Sequence, residues 1–496
     1  MENNAENQQI GSAQEKRGSA GLALKAGFWY VISTFLVKGL SFITTPIFSR
    51  LLSKEDYGEF SNFASWQALL VIITGAELYH SVARAYYDFK DEFNKYVSTV
   101  TVASIAITLA FYAVFLVCGD WIYSVVTIPK EYVHVLFLVL MFNACKQIYM
   151  SKERTLYRYK SVAVISMVNL LIPTLVAVLL VALAPQQQRL SARIYGFYIP
   201  SAMVGMGCTV LLLRGKSFNW KYFRYAMALS LPLLLHYFTA HLLTSSNTIV
   251  TKMVLGAEAV STVSIASSTN HILTILLQAI SGALTTWLMD NMEQQNVRTA
   301  KKGVLLYVAG ISAVAVGVML LAPELIWILG GEKYADSVLL MPGMVTAVLI
   351  QSVTTVFTII LTYQKKVVKT ALVTGTVSVA TVLAKYFLLP VAGVQILPVI
   401  NIVAFAALLA VNYFLVRSYG GGKYVSMSGI CGIIGVVCLA MVGSIFLYQN
   451  TLLRYSIIAV SAVAVLIVIY KYRKQVLSLV KKLLGKKKKK TTEETT

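Results

Sequence analysis

The sequence predicts an all-α protein that crosses a membrane about fourteen times. Three observations carry this expectation. Of 496 residues, 57% are hydrophobic and only 13% charged, where soluble domains carry about 25% charged residues. Mean hydropathy is +0.71. Apolar runs near the ~20 residues that span a bilayer as a helix recur along the whole chain. Basic residues concentrate in alternate connections between those runs, as the positive-inside rule requires.

The runs fall at 24–48, 59–86, 97–118, 133–151, 161–184, 194–213, 225–251, 259–289, 303–322, 337–362, 368–389, 395–416, 426–448 and 453–471. The chain is organised around the stretch Phe28 to Ser61. An apolar span there carries one lysine, Lys38, breaks near Pro46, passes a polar elbow from Ser49 to Gly58 and enters the next span. The polar first twenty-one residues lack the apolar core and cleavage site of a signal peptide, so the first helix is expected to be an uncleaved anchor. No polar stretch exceeds about twenty-five residues, too short to bury a core of its own.

Charge supports the count. Placing the N-terminus inside puts about 33 Lys and Arg residues in inner segments and about 8 in outer ones: Arg50, Lys54, Lys130, Arg189, Arg193, Lys252, Lys333 and Arg454. Both termini are then cytoplasmic, and the protein belongs in the cell (inner or plasma) membrane. The net charge of +22 is thereby a matter of orientation, and no nucleic-acid-binding motif accompanies it. The lysine-rich tail, KKLLGKKKKKTTEETT, extends this to anionic headgroups of membrane lipids. Five cysteines, Cys118, Cys145, Cys208, Cys431 and Cys438, form no CxxC or metal spacing and read as small apolar residues.

An internal repeat has a period near 203 residues. LLSKEDYGEFS (51–61) aligns with VLGAEAVSTVS (254–264), IPKEY (128–132) with GGEKY (330–334), and TLYRYK (155–160) with LTYQKK (361–366). Each pair follows a span six places further along. The repeat divides the chain into a tail (1–21), a first six-helix bundle (22–215), a second of parallel topology (216–420), two additional helices (421–474) and a basic tail (475–496).

A charge near the centre of a span is costly and points by default to a functional cavity. Lys38 is the leading candidate; its structural alternative is to snorkel or pair with an acid. Lys385 is a second intramembrane base. Arg50, beside the elbow, is expected at the outer mouth, and Arg84 at a helix end. Glu77, His80 and Arg84 have spacings of three and four, one face of a helix. Glu77 is a candidate for ion coupling or for a charge pair with Lys38 or Arg84. His236 and His241, five apart, face about 140° from one another, and with His271 they suit hydrogen bonding better than a metal. Asn247, Asn270 and Gln278 read as polar cavity lining or interhelical bonds. Lys252 and Lys146 read as interfacial. HExxH, GxSxG, Walker A and a strand-linked GxGxxG are all missing, so no enzyme is expected, and neither cofactor nor metal.

The elbow PIFSRLLSKEDYGEFS (46–61) resembles the first-elbow signature of the Wzx-type polysaccharide flippases, in the multidrug/oligosaccharidyl-lipid/polysaccharide exporter superfamily. GAELYHSVARAYYDF (75–89), SLPLLLHYFTAHLLTSSNTIVTKMVLGAEAVSTVSIA (230–266) and LLAPELIWILGGEKYADSVLLMPGMV (320–345) continue the resemblance in order. Ser53 stands where the family often has Gly, and Ser261 stands opposite Gly58. The resemblance implies two MATE-like six-helix bundles around a cavity open alternately to each side. It implies transfer of an undecaprenyl-pyrophosphate-linked oligosaccharide from inner to outer leaflet for capsule, O-antigen or other surface polysaccharide. Partners would be the polymerase and glycosyltransferases of that pathway. A diphosphate head needs cations in a low-dielectric cavity, and Lys38, Arg50, Arg84 and Lys385 are the expected substrate-binding set. A lipid II flippase of peptidoglycan synthesis shares this layout. A MATE-type drug/cation antiporter would favour acids in its cavity, and a polymerase or membrane glycosyltransferase would need a large outer loop.

Overall fold

The computed structural model describes residues 39–40, 42–215 and 218–461. Lys38, both tails and the end of the fourteenth run lie outside the described residues. Every regular element among those described is helical. A first helix, α1 (42–51), leads through the elbow into α2 (Lys54–Thr74). There follow α3 (Ser81–Asp88), α4 (Phe93–Val117), α5 (Gly119–Val126), α6 (Val133–Thr155), α7 (Tyr159–Leu183), α8 (Arg189–Leu212) and α9 (Trp220–Leu255). Then come α10 (Ala257–Ser268), α11 (Asn270–Glu293), α12 (Val297–Leu320), α13 (Ala322–Gly330), α14 (Met341–Tyr363), α15 (Val367–Ala392), α16 (Leu397–Ser418), α17 (Met427–Leu447) and α18 (Thr451–Ser461).

Ten helical stretches among the described residues are long and apolar enough to cross a membrane; one of them, Lys369–Ser418, holds two helices. Side chains such as Leu183, Leu306, Phe387 and Phe446 stand outward and exposed. Lipid suits them, and helices satisfy their own backbone groups there.

The two aligned elbows differ in local geometry. Ser53 caps α2 from an extended conformation, its hydroxyl accepting from the Asp56 N–H at 3.0 Å. The matching Gly256 precedes α10 with φ +86°, which glycine alone adopts without strain. Serine replaces glycine at the first elbow because that elbow needs no positive φ. The short helices α5 and α13, not foreseen from the apolar pattern, start at corresponding places. The turns after α6 and α14 each hold one left-handed residue, Tyr157 (φ 57°) and Lys365 (φ 59°).

The second and eighth runs were expected unbroken and are not. The second stops at Thr74, where Gly75 is followed by Ala76 and Glu77 at φ 47° and 52°. Two left-handed residues cannot continue a right-handed helix. The chain resumes as Leu78–Asp88, bent by 58°. The eighth divides at Thr269 into α10 and α11.

Packing positions the site. One core joins α2, α5, α6 and α8 through Phe63, Trp66, Val126, Leu136, Leu140 and Tyr198. Another joins α11, α12, α14, α16 and α17 through Leu288, Val304, Phe357, Ile360, Leu408 and Ile430. A third lies at the elbow end, where Phe48, Leu52 and Tyr57 meet Ile265, Ile311, Leu329 and Tyr334. There α2 and α10, the two post-elbow helices, cross at backbone contact. A Cβ on Gly58 would lie 1.8 Å from the Ala257 carbonyl oxygen.

Candidate functional site

The elbow-end core roofs a chamber of about 390 Å³ between α1, α2, α8, α9, α10 and α11. Its walls are rich in hydroxyls: Thr44 and Thr45 from α1, Ser61 and Ser65 from α2, Ser245 and Thr248 from α9, and Ser264, Ser267 and Ser268 from α10. These come from four helices, in two pairs far apart in sequence. Serine and threonine can lie inside spans because their hydroxyls return to the helix carbonyl a turn earlier, as Ser61 does to Tyr57 at 2.8 Å and Ser65 to Ser61 at 2.9 Å. That leaves oxygen lone pairs facing the chamber.

Arg193, in the second turn of α8, is the chamber's basic residue. It is 8% exposed. Its guanidinium carbon sits 3.3 Å from the Phe48 ring centre and 4.2 Å from that of Phe60, so the group is sandwiched between aromatic faces of α1 and α2. Nε and Nη1 are buried without a hydrogen-bond partner among the described residues. Aromatic faces return about 1–2 kcal/mol to a desolvated cation, whereas burying an unpaired charge costs several kcal/mol.

A second, smaller cavity of about 260 Å³ lies at the break after α2, lined by Gln67, Glu77, Tyr79, Asn143, Gln147 and His241. Glu77 is buried, and its Oε2 lies 3.0 Å from His80 Nε2. The His80 ring stacks on Tyr237 of α9 at 4.8 Å and 5°. The break separates what the spacing put on one helix face. Glu77 and His80 stay together, while Arg84 turns away to Asp88, 3.0 Å from Nε to Oδ2, on the exposed face of α3.

The other expected bases have protein partners. Lys385 is fully buried between α15 and α9, donating to Ser246 Oγ at 2.8 Å and to the Leu243 carbonyl at 3.2 Å. Arg50 donates to the carbonyls of Pro46 and Ile328, both at 3.0 Å. Lys252 pairs with Glu59, and Lys146 donates to Asn169 at 2.9 Å. His271 borders the Arg193 chamber, and His241 the Glu77 cavity.

The family model for polysaccharide biosynthesis proteins matches residues 23–292, more than half of the chain. The chain belongs to this family. Among solved structures, the chain is similar to the lipid II flippase MurJ in an inward closed conformation. The TM-score is 0.69 and the identity 13%, covering 90% of this chain and 99% of that one. An inward-facing multidrug resistance MATE transporter of the MOP superfamily follows at TM-score 0.57 and 13% identity, covering 79% and 98%. A MATE transporter of Vibrio cholerae gives 0.51 and 14%, covering 84% and 99%. None of the curated proteins matches the sequence. The fold is the one these structures share, and the protein is a multi-pass membrane protein.

Proposed function

We propose that the protein is a flippase that carries a polyprenyl-pyrophosphate-linked oligosaccharide across the membrane for surface polysaccharide assembly, by alternating access between two six-helix halves, 22–215 and 216–420. The elbow end faces outward in this reading, and both termini lie in the cytosol. The single observation that carries it is Arg193, a buried cation with unused donors in a hydroxyl-lined chamber between the repeats. A phosphate satisfies the guanidinium, and sugar hydroxyls exchange hydrogen bonds with the serines and threonines. Lys38, seven residues before Thr45 on the same span, is proposed as a further contact for the head group.

The tail of such a cargo need not enter the chamber. A groove of about 920 Å³ runs along α12, α17 and α18, lined by Ala313, Val316, Leu320, Ile433, Val436 and Ile458 among others. It offers apolar wall to a prenyl chain that stays in the bilayer. A cation antiporter is disfavoured, because no carboxylate is among the described residues lining the Arg193 chamber.

The test is a deletion strain. The expected result is loss of a surface glycan with accumulation of its lipid-linked precursor, restored by the wild-type chain and not by Arg193→Ala at equal membrane abundance. Arrested peptidoglycan synthesis with surface glycan intact would replace this reading with lipid II transport.

A further inference from the structure

The elbow end is closed by two helix C-termini that cap each other. Helix α1 ends at residue 51 and α13 at Gly330. The last carbonyls of a helix have no partner within it and carry the negative end of its dipole. From α1, Arg50 donates to the α13 carbonyls of Ile328 at 3.0 Å and Trp327 at 3.4 Å, and Ser49 donates to that of Leu329. In return Lys333, just beyond α13, donates to the Leu52 carbonyl at 2.7 Å. Arg189, at the start of α8, adds a bond to the Leu51 carbonyl at 2.7 Å. Each helix end thus holds a cation from the other.

The arrangement crowds positive charge. Partial burial, then the charges of Lys54 and Arg50, hold the Lys333 ammonium below the usual lysine range. The nearest acid contact in the cluster is loose, Lys54 to Asp336 at 4.0 Å. Arg50 and Lys333 thus spend their donors on neutral carbonyls while both stay exposed. Hydrogen bonds from a cation to an oxyanion are roughly twice as strong as neutral ones. A phosphate arriving here would outcompete the carbonyls and relieve the mutual repulsion of the bases at once.

We propose that this cluster is an anion-opened latch: a phosphate or pyrophosphate group that engages Arg50 and Lys333 displaces the helix carbonyls and frees α1 from α13, opening the elbow end of the chamber. The inference goes beyond the proposed cargo, since it requires only the oxyanion. Two sources offer that chemistry, a soluble or cargo-borne pyrophosphate and an anionic lipid headgroup.

The experiment uses the full chain in nanodiscs, with native cysteines replaced by serine or alanine and spin labels at Glu55→Cys and Glu332→Cys, exposed positions on either side of the latch. In phosphatidylcholine discs, millimolar inorganic pyrophosphate is expected to shift the label-to-label distance to a longer population. Discs containing phosphatidylglycerol without pyrophosphate form the second arm. A shift there assigns the headgroup as a source, and a shift with pyrophosphate alone assigns the soluble group. Arg50→Lys, which keeps the charge and loses the fork, is expected to need about tenfold more pyrophosphate. The Arg50→Gln/Lys333→Gln pair is expected to be open already and indifferent to the anion. Distances unmoved by either source, or an equal pyrophosphate response in the Gln pair, would overturn the latch. Neither result bears on glycan export in the deletion strain.

Discussion

Glu77 Oε2 and His80 Nε2 face each other at 3.0 Å across the break that ends α2. Both atoms are buried. The two side chains are held as a close pair where the helix ends. The backbone beneath them is equally constrained, because Ala76 and Glu77 are both left-handed. A left-handed L-residue costs about 1–2 kcal/mol. A β-branched residue costs more there, so Ala76→Val is expected to destabilise the protein by about 2 kcal/mol or more, while Ala76→Gly is tolerated. Thermal unfolding in detergent micelles checks the pair. Equal melting temperatures for the two would show that the break is not held in the left-handed region.

The α2–α10 crossing makes a sharper demand. Gly58→Ala places a methyl 1.8 Å from a main-chain oxygen that cannot rotate away. The two helices must separate, at a cost of about 1–3 kcal/mol in a packed core. Since this crossing roofs the chamber at the elbow end, the variant is expected to favour the elbow-open arrangement as well as to melt earlier. Faster labelling of a cysteine at Ser264, which lines the chamber, by a water-soluble maleimide is the measurement. Labelling as slow as in the same cysteine variant with Gly58 intact would mean that the contact is not a closure.

The membrane-spanning character was legible because it has a simple physical signal. Hydrocarbon thickness sets run length, and an elbow needs polar, capping or glycine residues, so LLSKEDYG and VLGAEAVS could be aligned by eye. The break at Gly75–His80 was hidden. Glu77, His80 and Arg84 have helical spacing, and neither Ala76 nor Glu77 is a residue type that announces positive φ. Arg193 was hidden for a different reason. The sixth apolar run begins at Ile194, which places Arg193 in a connecting segment, whereas α8 starts at Arg189 and carries Arg193 inward. A usable signal was present in the aromatic Phe197 and Tyr198 that follow within about a turn. Lys38, the strongest candidate in the sequence, lies outside the described residues.

Arg193 gives a prediction in which stability and transport move oppositely. Replacing an unpaired buried charge by an apolar residue of similar size relieves desolvation, so Arg193→Met is expected to raise or leave unchanged the melting temperature. Transport is expected to fall about 100-fold, the equivalent of ~2.7 kcal/mol for two lost charge-assisted bonds. Arg193→Lys keeps the charge and loses both the planar stack and the fork, so it should restore only part of the activity. Uptake of lipid-linked oligosaccharide in proteoliposomes, beside a melting curve on the same preparations, reads both. A variant that melts much earlier and transports normally would make Arg193 a packing residue.

Lys385 separates a structural cation from a cargo-binding one. It is enclosed by α9 and α15, and its two acceptors are neutral, Ser246 Oγ and the Leu243 carbonyl. No carboxylate pairs with it among the described residues. There it joins two helices, as Ser378 does two turns away by donating to the Thr239 carbonyl at 2.8 Å. Lys385→Met fills the same volume without a charge, so stability should change by less than about 1.5 kcal/mol. Lys385→Ala leaves a cavity and should cost about 2–5 kcal/mol. Transport per folded molecule should survive in both. If Lys385→Met instead abolished transport at unchanged melting temperature, the ammonium would have to leave its two acceptors during the cycle. The α9–α15 contact would then belong to the moving parts and not to the frame.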